Sequence, residues 1–323
     1  MSRIQNEKSD VKHEIIDRYQ AGRRIDNYLV TQLQDVPKSR IYQMLRRGEV
    51  RINGGRVRQT YRLQEGDRVR IPPVRELPAA EIASPPKPLL QRLSANIVYE
   101  DDRIIALNKP AGLPVHGGSG HSYGIIEVMR TIRSGEQELQ LVHRLDQDTS
   151  GCLLLAKDPI TLRELHDALK QGAVEKQYLT LLKGSLNEPS IRVTQSLKKS
   201  QLRSGERMVA VNDDLGKSAY SRFNTIKSYA NATLTEVFIG TGRTHQIRVH
   251  AEHIGHPVAG DRKYGDKEFN RLMRSFGLKR MFLHASRLRL PYPGSKRSLE
   301  IVAPLPEELE EVLGHLAATK SPE

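Results

Sequence analysis

The sequence predicts an α+β protein in two units, a small N-terminal one and a larger one built on a mixed, mostly antiparallel sheet. Three observations carry this expectation. Strands follow one another with turns between them, helical stripes are scattered irregularly among them, and a proline-rich break separates the two parts. No Gly-x-Gly-x-x-Gly or phosphate-loop pattern follows any strand, which argues against a doubly wound nucleotide-binding sheet. The length of 323 residues allows two domains at about 150 residues each. No apolar run reaches the roughly 18 residues of a membrane span, and the start at Met1 to Lys8 is polar, so a cytoplasmic, non-membrane protein is expected. Cys152 is the single cysteine, which excludes an internal disulfide and any Cys-rich metal site.

Residues 1–17 show no periodicity and read as a tail. From Ala21-Gly22 the stripe Ile25, Leu29, Leu33 predicts a helix, and after Pro37 a second stripe at Ile41, Met44 and Leu45 runs to Gly48. Val50 to Asn53 and Asp67 to Ile71 alternate apolar residues with Arg, the pattern of half-buried strands. This first domain spans 18–75. The stretch 76–95, with Pro78, Pro85, Pro86 and Pro88, reads as an extended linker. The second domain is expected over 96–310, with 311–323 as a helix end and tail.

Within the second domain, Ile104 to Leu107 and Cys152 to Ala156 have the length of buried strands. Asp158 caps a helix with Pro159 at its first position, Leu162, Leu165 and Leu169 on one face and Gly172 at its exit. Tyr178 to Leu182 and Thr233 to Ile239 read as strands, and Ile247, Ala251 and Ile254 mark a helix stopped by Gly255. Arg287 to Leu290 turns through Pro291 to Gly294 into Leu299 to Val302, and Leu309, Leu313 and Leu316 form the last helical stripe.

Charge narrows the partner class. The net charge is +13, and +9 of it falls between Arg18 and Arg75, where 14 basic residues face five acidic ones. A solvated surface needs no such concentration of Arg, so a polyanion such as nucleic acid is the expected partner of this unit. Arg23, Arg24, Lys38, Arg40, Arg46, Arg47 and Arg51 are the candidate nucleic-acid contacts.

Two segments crowd polar groups. His143-Arg144-Leu145-Asp146-Gln147-Asp148-Thr149-Ser150-Gly151 runs directly into an apolar strand. Its bland reading is a turn whose Asp, Thr and Ser side chains satisfy loose backbone groups. A triad of His143, Asp146 and Ser150 is poor, because residues so close in sequence rarely converge. Asp146 and Asp148 together offer only a weak magnesium site. The second segment, Gly240 to His250, opens a helix on which His245, Arg248 and Glu252 share one face and Ile247, Ala251 and Ile254 the other. An ordinary amphipathic helix explains that pattern, and a phosphate or carboxylate partner for Arg243 and Arg248 is the alternative. A Gly-rich loop from Pro110 to Gly120 suits close backbone approach to a ligand or simple flexibility.

Taken together, His143-Arg144-Leu145-Asp146 with Thr149-Ser150-Gly151, Lys176-Gln177-Tyr178 and Gly242 to His250 resemble the RluA-type pseudouridine synthases. Asn108-Lys109-Pro110-Ala111-Gly112 and Phe282-Leu283-His284-Ala285 extend the likeness over about 96–305. Gly22 to Asp26, Ser39 to Ile41, Arg47 to Val50 and Gly66-Asp67 resemble the small RNA-binding domain named after ribosomal protein S four. The linker and the Val115 to Gly120 loop resemble the C-type branch, which modifies large-subunit (23S) ribosomal RNA.

The resemblance implies a pseudouridine synthase fold and cofactor-free isomerisation of uridine by base flipping. It implies catalytic roles for Asp146, Tyr178 and Arg248, base displacement by Arg144, and substrate contacts from Arg243, His245 and Lys109. No metal, no membrane and no obligate protein partner are expected, with a monomer as the default state. One ionised carboxylate suffices for such a reaction, whereas a hydrolytic glycosidase needs two and a positioned water. Residue types leave open whether Asp146 attacks as a nucleophile or removes a ribose proton. A non-catalytic RNA-binding protein and a magnesium-dependent phosphoryl-transfer enzyme or nuclease are the rival classes.

Overall fold

The structure is a computed structural model that describes residues 11–33, 36, 38–73, 84–117, 123–135, 138–201, 207–212 and 216–318. The chain divides into two compact units, Met1–Ser84 and Pro85–Glu323. Residues 74–83, which include the first part of the expected linker, lie outside the described residues.

The first unit contains β1 (Lys12–Ile15), α1 (Ile25–Gln32), α2 (Lys38–Arg47), β2 (Arg51–Ile52) and β3 (Arg68–Ile71), with sheet order β1-β3-β2. Ile25, Tyr28 and Leu29 of α1 pack with Ile41, Met44 and Leu45 of α2 and with Val69 and Ile71 of β3. The strand β1 corrects the expectation of a tail up to residue 17. It pairs antiparallel with β3, Lys12 opposite Ile71, yet all four of its residues are exposed. Main-chain hydrogen bonds alone hold it, so it leaves no hydrophobic period to read.

The second unit contains α3 (Lys87–Ala95), β4 (Ile97–Glu100), β5 (Ile104–Lys109), α4 (Ile125–Ile132), β6 (Gln140–Leu141), β7 (Ser150–Ala156), α5 (Pro159–Lys170), β8 (Glu175–Lys183), β9 (Ser190–Thr194), β10 (Leu197–Gln201), β11 (Arg207–Val211), β12 (Tyr220–Ser228) and β13 (Ala232–Ile239). The elements α6 (Gln246–His253), α7 (Lys267–Ser275), β14 (Leu283–Pro291), β15 (Ser298–Val302) and α8 (Glu307–Ala318) complete it. Among the described residues ten strands form one sheet, in the order β4-β5-β7-β14-β8-β13-β12-β9, with β15 added to β14 and β6 to β7. Every pairing is antiparallel except β7 with β14.

That parallel pair sets the centre of the sheet. Gly151 carries φ +109°, and a Cβ there would stand 2.2 Å from the carbonyl oxygen of Ala285, so only glycine lets β7 approach β14 this closely. The residues just before Gly151 are thereby fixed at the end of β7, two strands from β8. In α5, Asp158 accepts from the N–H groups of Ile160 and Thr161, and Pro159 fills the first turn, as its sequence indicates.

Two boundaries differ from expectation. A helix, α3, occupies Lys87–Ala95, where the prolines suggest extended chain, and Leu93 is fully buried in the core of the second unit. Pro88 sits in the first helical turn, where its missing N–H would have no partner anyway. At the other end, α8 continues to Ala318 and buries Leu309, Val312 and Leu316 with Phe269, Met273 and Phe282. A boundary at 310 would cut through this helix.

Candidate active site

A loop from Arg144 to Thr149 enters β7, Tyr178 projects from β8, and Arg248 from α6. All three converge on a small niche also lined by Arg144, Arg243 and His245. The niche opens into two larger cavities, of about 680 and 860 Å3, that share parts of its wall.

Arg248 is the hub. Its Nη1 donates to Asp146 Oδ2 at 3.2 Å, while Nε and Nη2 donate to Asp261 Oδ2 and Oδ1 at 2.7 and 2.9 Å. Burial opposes the charge on Arg248, but the bonds and charge of Asp261, followed by Asp146, outweigh it and raise its pKa. Burial likewise opposes ionisation of Asp261, yet Arg248 and the N–H groups of Lys263 and Tyr264 hold its carboxyl below the usual range. Both shifts point the same way and describe a fully ionised buried pair. The carboxylate of Asp146 receives the third donor of an arginine already locked in place, and its side chain stays 26% exposed.

His245 precedes α6 in the left-handed region, φ 55°, a conformation that turns its ring toward the niche. Its Nδ1 lies 2.8 Å from the hydroxyl of Tyr264, and its Nε2 3.9 Å from Asp146 Oδ2. The Tyr264 oxygen also accepts from the N–H of Val209 at 3.0 Å, so one hydroxyl joins the His245 ring to β11. Burial lowers the pKa of His245, so the ring is neutral at pH 7. The Tyr264 ring also lies 5.0 Å from the Arg248 guanidinium.

Tyr178 is buried, and burial followed by the charge of Asp146 raises its pKa. It stands in the niche as a neutral aromatic platform. Arg144 is exposed and lines all three cavities, and Arg243 donates from Nε to the carbonyl of Ser218 at 3.2 Å.

Lys109 corrects the expectation of a substrate contact. It is fully buried, and its Nζ donates to the carbonyls of Pro110, Leu113 and Gln147 at 2.8–2.9 Å. Burial lowers its pKa to about 7, against the pull of Asp148 and Asp146. The lysine clamps the loop after β5 to the Asp146 loop and does not reach the niche. The helix α6 is buried on more than one side, with Gln246, Arg248 and His250 as covered as Ile247 and Ala251. It is therefore not a helix with one solvated face.

Other polar residues are structural. Ser150 Oγ lies 2.9 Å from His284 Nδ1 inside the core, 134 residues away in sequence and apart from His143. The His143 ring accepts from the Leu154 N–H, and burial lowers its pKa to about 4. Burial pushes the Cys152 thiol up to about 12, which removes it as a nucleophile.

Sequence reasoning missed Asp261, Tyr264 and Gln246. Gln246 accepts at Oε1 from the Thr241 hydroxyl and the Arg243 N–H, and donates from Nε2 to Tyr220 O and Ser221 Oγ. It joins the 240–243 turn to α6. The only local trace of Asp261 is its place beside Gly260, a pattern common to many turns.

In the first unit, Arg24 is bonded to buried Asp26 and Arg40 to Glu49, so two of the seven candidate contacts already hold the fold. Arg46 and Arg47 are exposed in the last turn of α2, and Arg51 donates to the carbonyls of Gly48 and Gly54. Arg23 bonds to the hydroxyl of Thr31, and the Lys38 side chain lies outside the described residues.

A carboxylate held by a buried arginine beside an aromatic platform, on a mixed sheet with a separate basic unit, defines a class that the comparisons make explicit. Residues 103–253 match the RNA pseudouridylate synthase family, and residues 23–69 the S4 domain. The chain is 48% identical over 313 residues to ribosomal large subunit pseudouridine synthase C of Pasteurella multocida, covering 96% of this chain and 95% of that protein. It is 47% identical to the synonymous protein of Escherichia coli K12, over 97% of this chain and 99% of that one. The chain belongs to the RNA pseudouridylate synthase family. Among solved structures, human RNA pseudouridylate synthase domain containing 4 shares its fold, with TM-score 0.60 and 24% identity over 71% of this chain and 95% of that one.

Proposed function

We propose that this protein isomerises uridine to pseudouridine in large-subunit ribosomal RNA, with Asp146 at the reacting glycosidic bond. The observation that supports this most directly is the Arg248 bridge, Asp261 on one side and Asp146 on the other. Breaking the N-glycosidic bond, turning the uracil and rejoining it through C5 needs one ionised carboxylate and a pocket that retains the free base. Arg248 keeps a carboxylate charged in such a pocket, because a cation at contact distance opposes the cost of burial.

Tyr178 stacks on the uracil. Arg144, exposed at the mouth of the niche, helps to displace the base, which leaves its stack at a cost of a few kcal/mol. His245, neutral and 3.9 Å from Asp146 Oδ2, walls the carboxylate without adding charge. Arg243 contacts the substrate backbone. The first unit adds affinity through phosphate contacts, chiefly from exposed Arg46 and Arg47, while the second carries the chemistry. The 18–75 and 96–310 assignments give way in this reading to two units divided between Ser84 and Pro85, with α3 and the whole of α8 in the second. The protein works as a cytoplasmic monomer without metal or nucleotide.

The test is tritium release from RNA labelled at uridine C5, in EDTA, for the native protein and Asp146→Asn. Release by the native protein alone supports the assignment. Equal release by both would remove Asp146 from the chemistry, and magnesium-dependent strand cleavage without tritium release would favour a phosphoryl-transfer enzyme or nuclease instead.

A further inference from the structure

The cavity of about 860 Å3 shares Arg144, Tyr178 and Arg243 with the niche, and Asp146, Arg248 and Asp261 are not part of its wall. Its most unusual wall residue is Lys176. Lys176 and Tyr178 are two apart on β8 and both line this cavity, so their side chains leave one face of the strand about 7 Å apart. A Cβ on Gly242 would stand 3.9 Å from Lys176 Nζ, which places the ammonium against the 240–243 turn that carries Arg243. Lys176 is half-buried, and burial followed by the charge of Arg243 lowers its pKa, with no carboxylate opposing.

The anions nearby are committed elsewhere. Glu127, the carboxylate on this wall, accepts from the N–H groups of Gly117 and Gly124. Lys170 at the rim is paired with Asp167 at 2.7 Å. Lys176, half-withdrawn from water beside exposed Arg243 and with no free carboxylate among the described residues of this wall, is a charge whose burial costs stability, and an anionic ligand removes that cost. Leu162, Leu169 and Ile239 supply apolar wall beside them, enough for one face of a base.

We infer that this cavity binds the nucleotide next to the isomerised uridine, with Lys176 and Arg243 gripping the phosphodiester between the two. The inference rests on Tyr178 as the uracil platform. A step of one nucleotide along an extended strand matches the separation of Tyr178 and Lys176 on β8. A free phosphate would need neither the volume of the cavity nor its continuity with the niche.

The experiment compares native protein, Lys176→Met and Lys176→Arg on a labelled rRNA fragment, with a neutral methylphosphonate placed at each linkage flanking the uridine in turn. Lys176→Met is expected to raise the RNA concentration for half-maximal tritium release about tenfold, the weight of one charge-assisted bond. Its binding, followed by fluorescence anisotropy, should lose about 0.7 from the slope of log K against log salt. Lys176→Arg should restore most of both. One methylphosphonate RNA should cost the native protein the same tenfold and cost Lys176→Met nothing more. Tm separates this from misfolding, because removing a desolvated charge should leave Lys176→Met at least as stable as the native protein. An unchanged half-maximal concentration and salt slope in Lys176→Met, or equal sensitivity of both proteins to the methylphosphonates, would overturn the inference. Absence of tritium release from native protein would sink the isomerase reading alone, since the anisotropy arm still reports on the phosphate contact.

Discussion

Arg248 is held from three directions before it touches Asp146, by the two oxygens of Asp261 and by the face of Tyr264. A guanidinium fixed this way presents its remaining donor at a set position, which is what an electrostatic contact needs in order to act without reorganising. Asp261→Asn keeps the volume but removes the buried negative charge. We expect the single-turnover rate at saturating RNA to fall by about 10- to 100-fold, as when supporting shells around a reactive group are cut, with a smaller change in half-saturation. A loss confined to RNA binding would show that Asp261 does not act through Arg248. Asp146, Tyr178 and Arg248 were picked out through the resemblance of their motifs, because residue types alone allowed an ordinary turn around Asp146 and an ordinary amphipathic helix around Arg248. Asp261 was not, since one aspartate after a glycine says nothing until a loop folds beneath α6. Lys109 was misread for the converse reason. A lysine beside a motif resembles a ligand contact until three carbonyls surround its ammonium.

At the level of elements, the β7–β14 junction is the most constrained feature. Gly151→Ala would need to move the Ala285 carbonyl, 2.2 Å from the added Cβ, and would strain a φ of +109°. We expect it to cost about 3 kcal/mol or more, read as a large drop in Tm or loss of soluble protein. Near the same junction, buried His284 and, on the β6–β7 side, half-buried His143 have pKa values lowered to about 4. The sign follows from linkage. Below pH 6.5 the unfolded chain takes up protons that these rings refuse, so stability is present above pH 6.5 and drains away as pH falls toward 4. The cost by pH 4 is on the order of 3 kcal/mol for each ring. Tm measured from pH 7 to 4.5 should decline steadily, and a flat profile would mean that these rings are not buried as neutral groups. The helix α5 was readable from its own cap and stripe. β1 and α3 were not, because an exposed paired strand has no period and prolines mark a helix start as readily as a linker.

At the scale of the whole molecule, the proposed function assigns affinity to the first unit and chemistry to the second. Exposed Arg46 and Arg47 end α2, whereas Arg24 and Arg40 are spent within the first unit on Asp26 and Glu49. Replacing Arg46 and Arg47 together by Ala should weaken RNA binding and reduce the salt slope by about one to two, with filter binding at several salt concentrations as the measure. Unaltered binding would move the phosphate contacts elsewhere on the unit. The sequence by itself determined the α+β class, the basic bias of the first unit and the motif residues of the site, because composition, period and compact motifs are local properties of the chain. Tertiary structure alone decided that Asp261 locks Arg248, that Lys109 is a clamp, and that Lys176 faces a cavity beside Tyr178. Each of these depends on which distant backbone segment is brought within 3–4 Å of a charge, and a one-dimensional pattern does not carry that information.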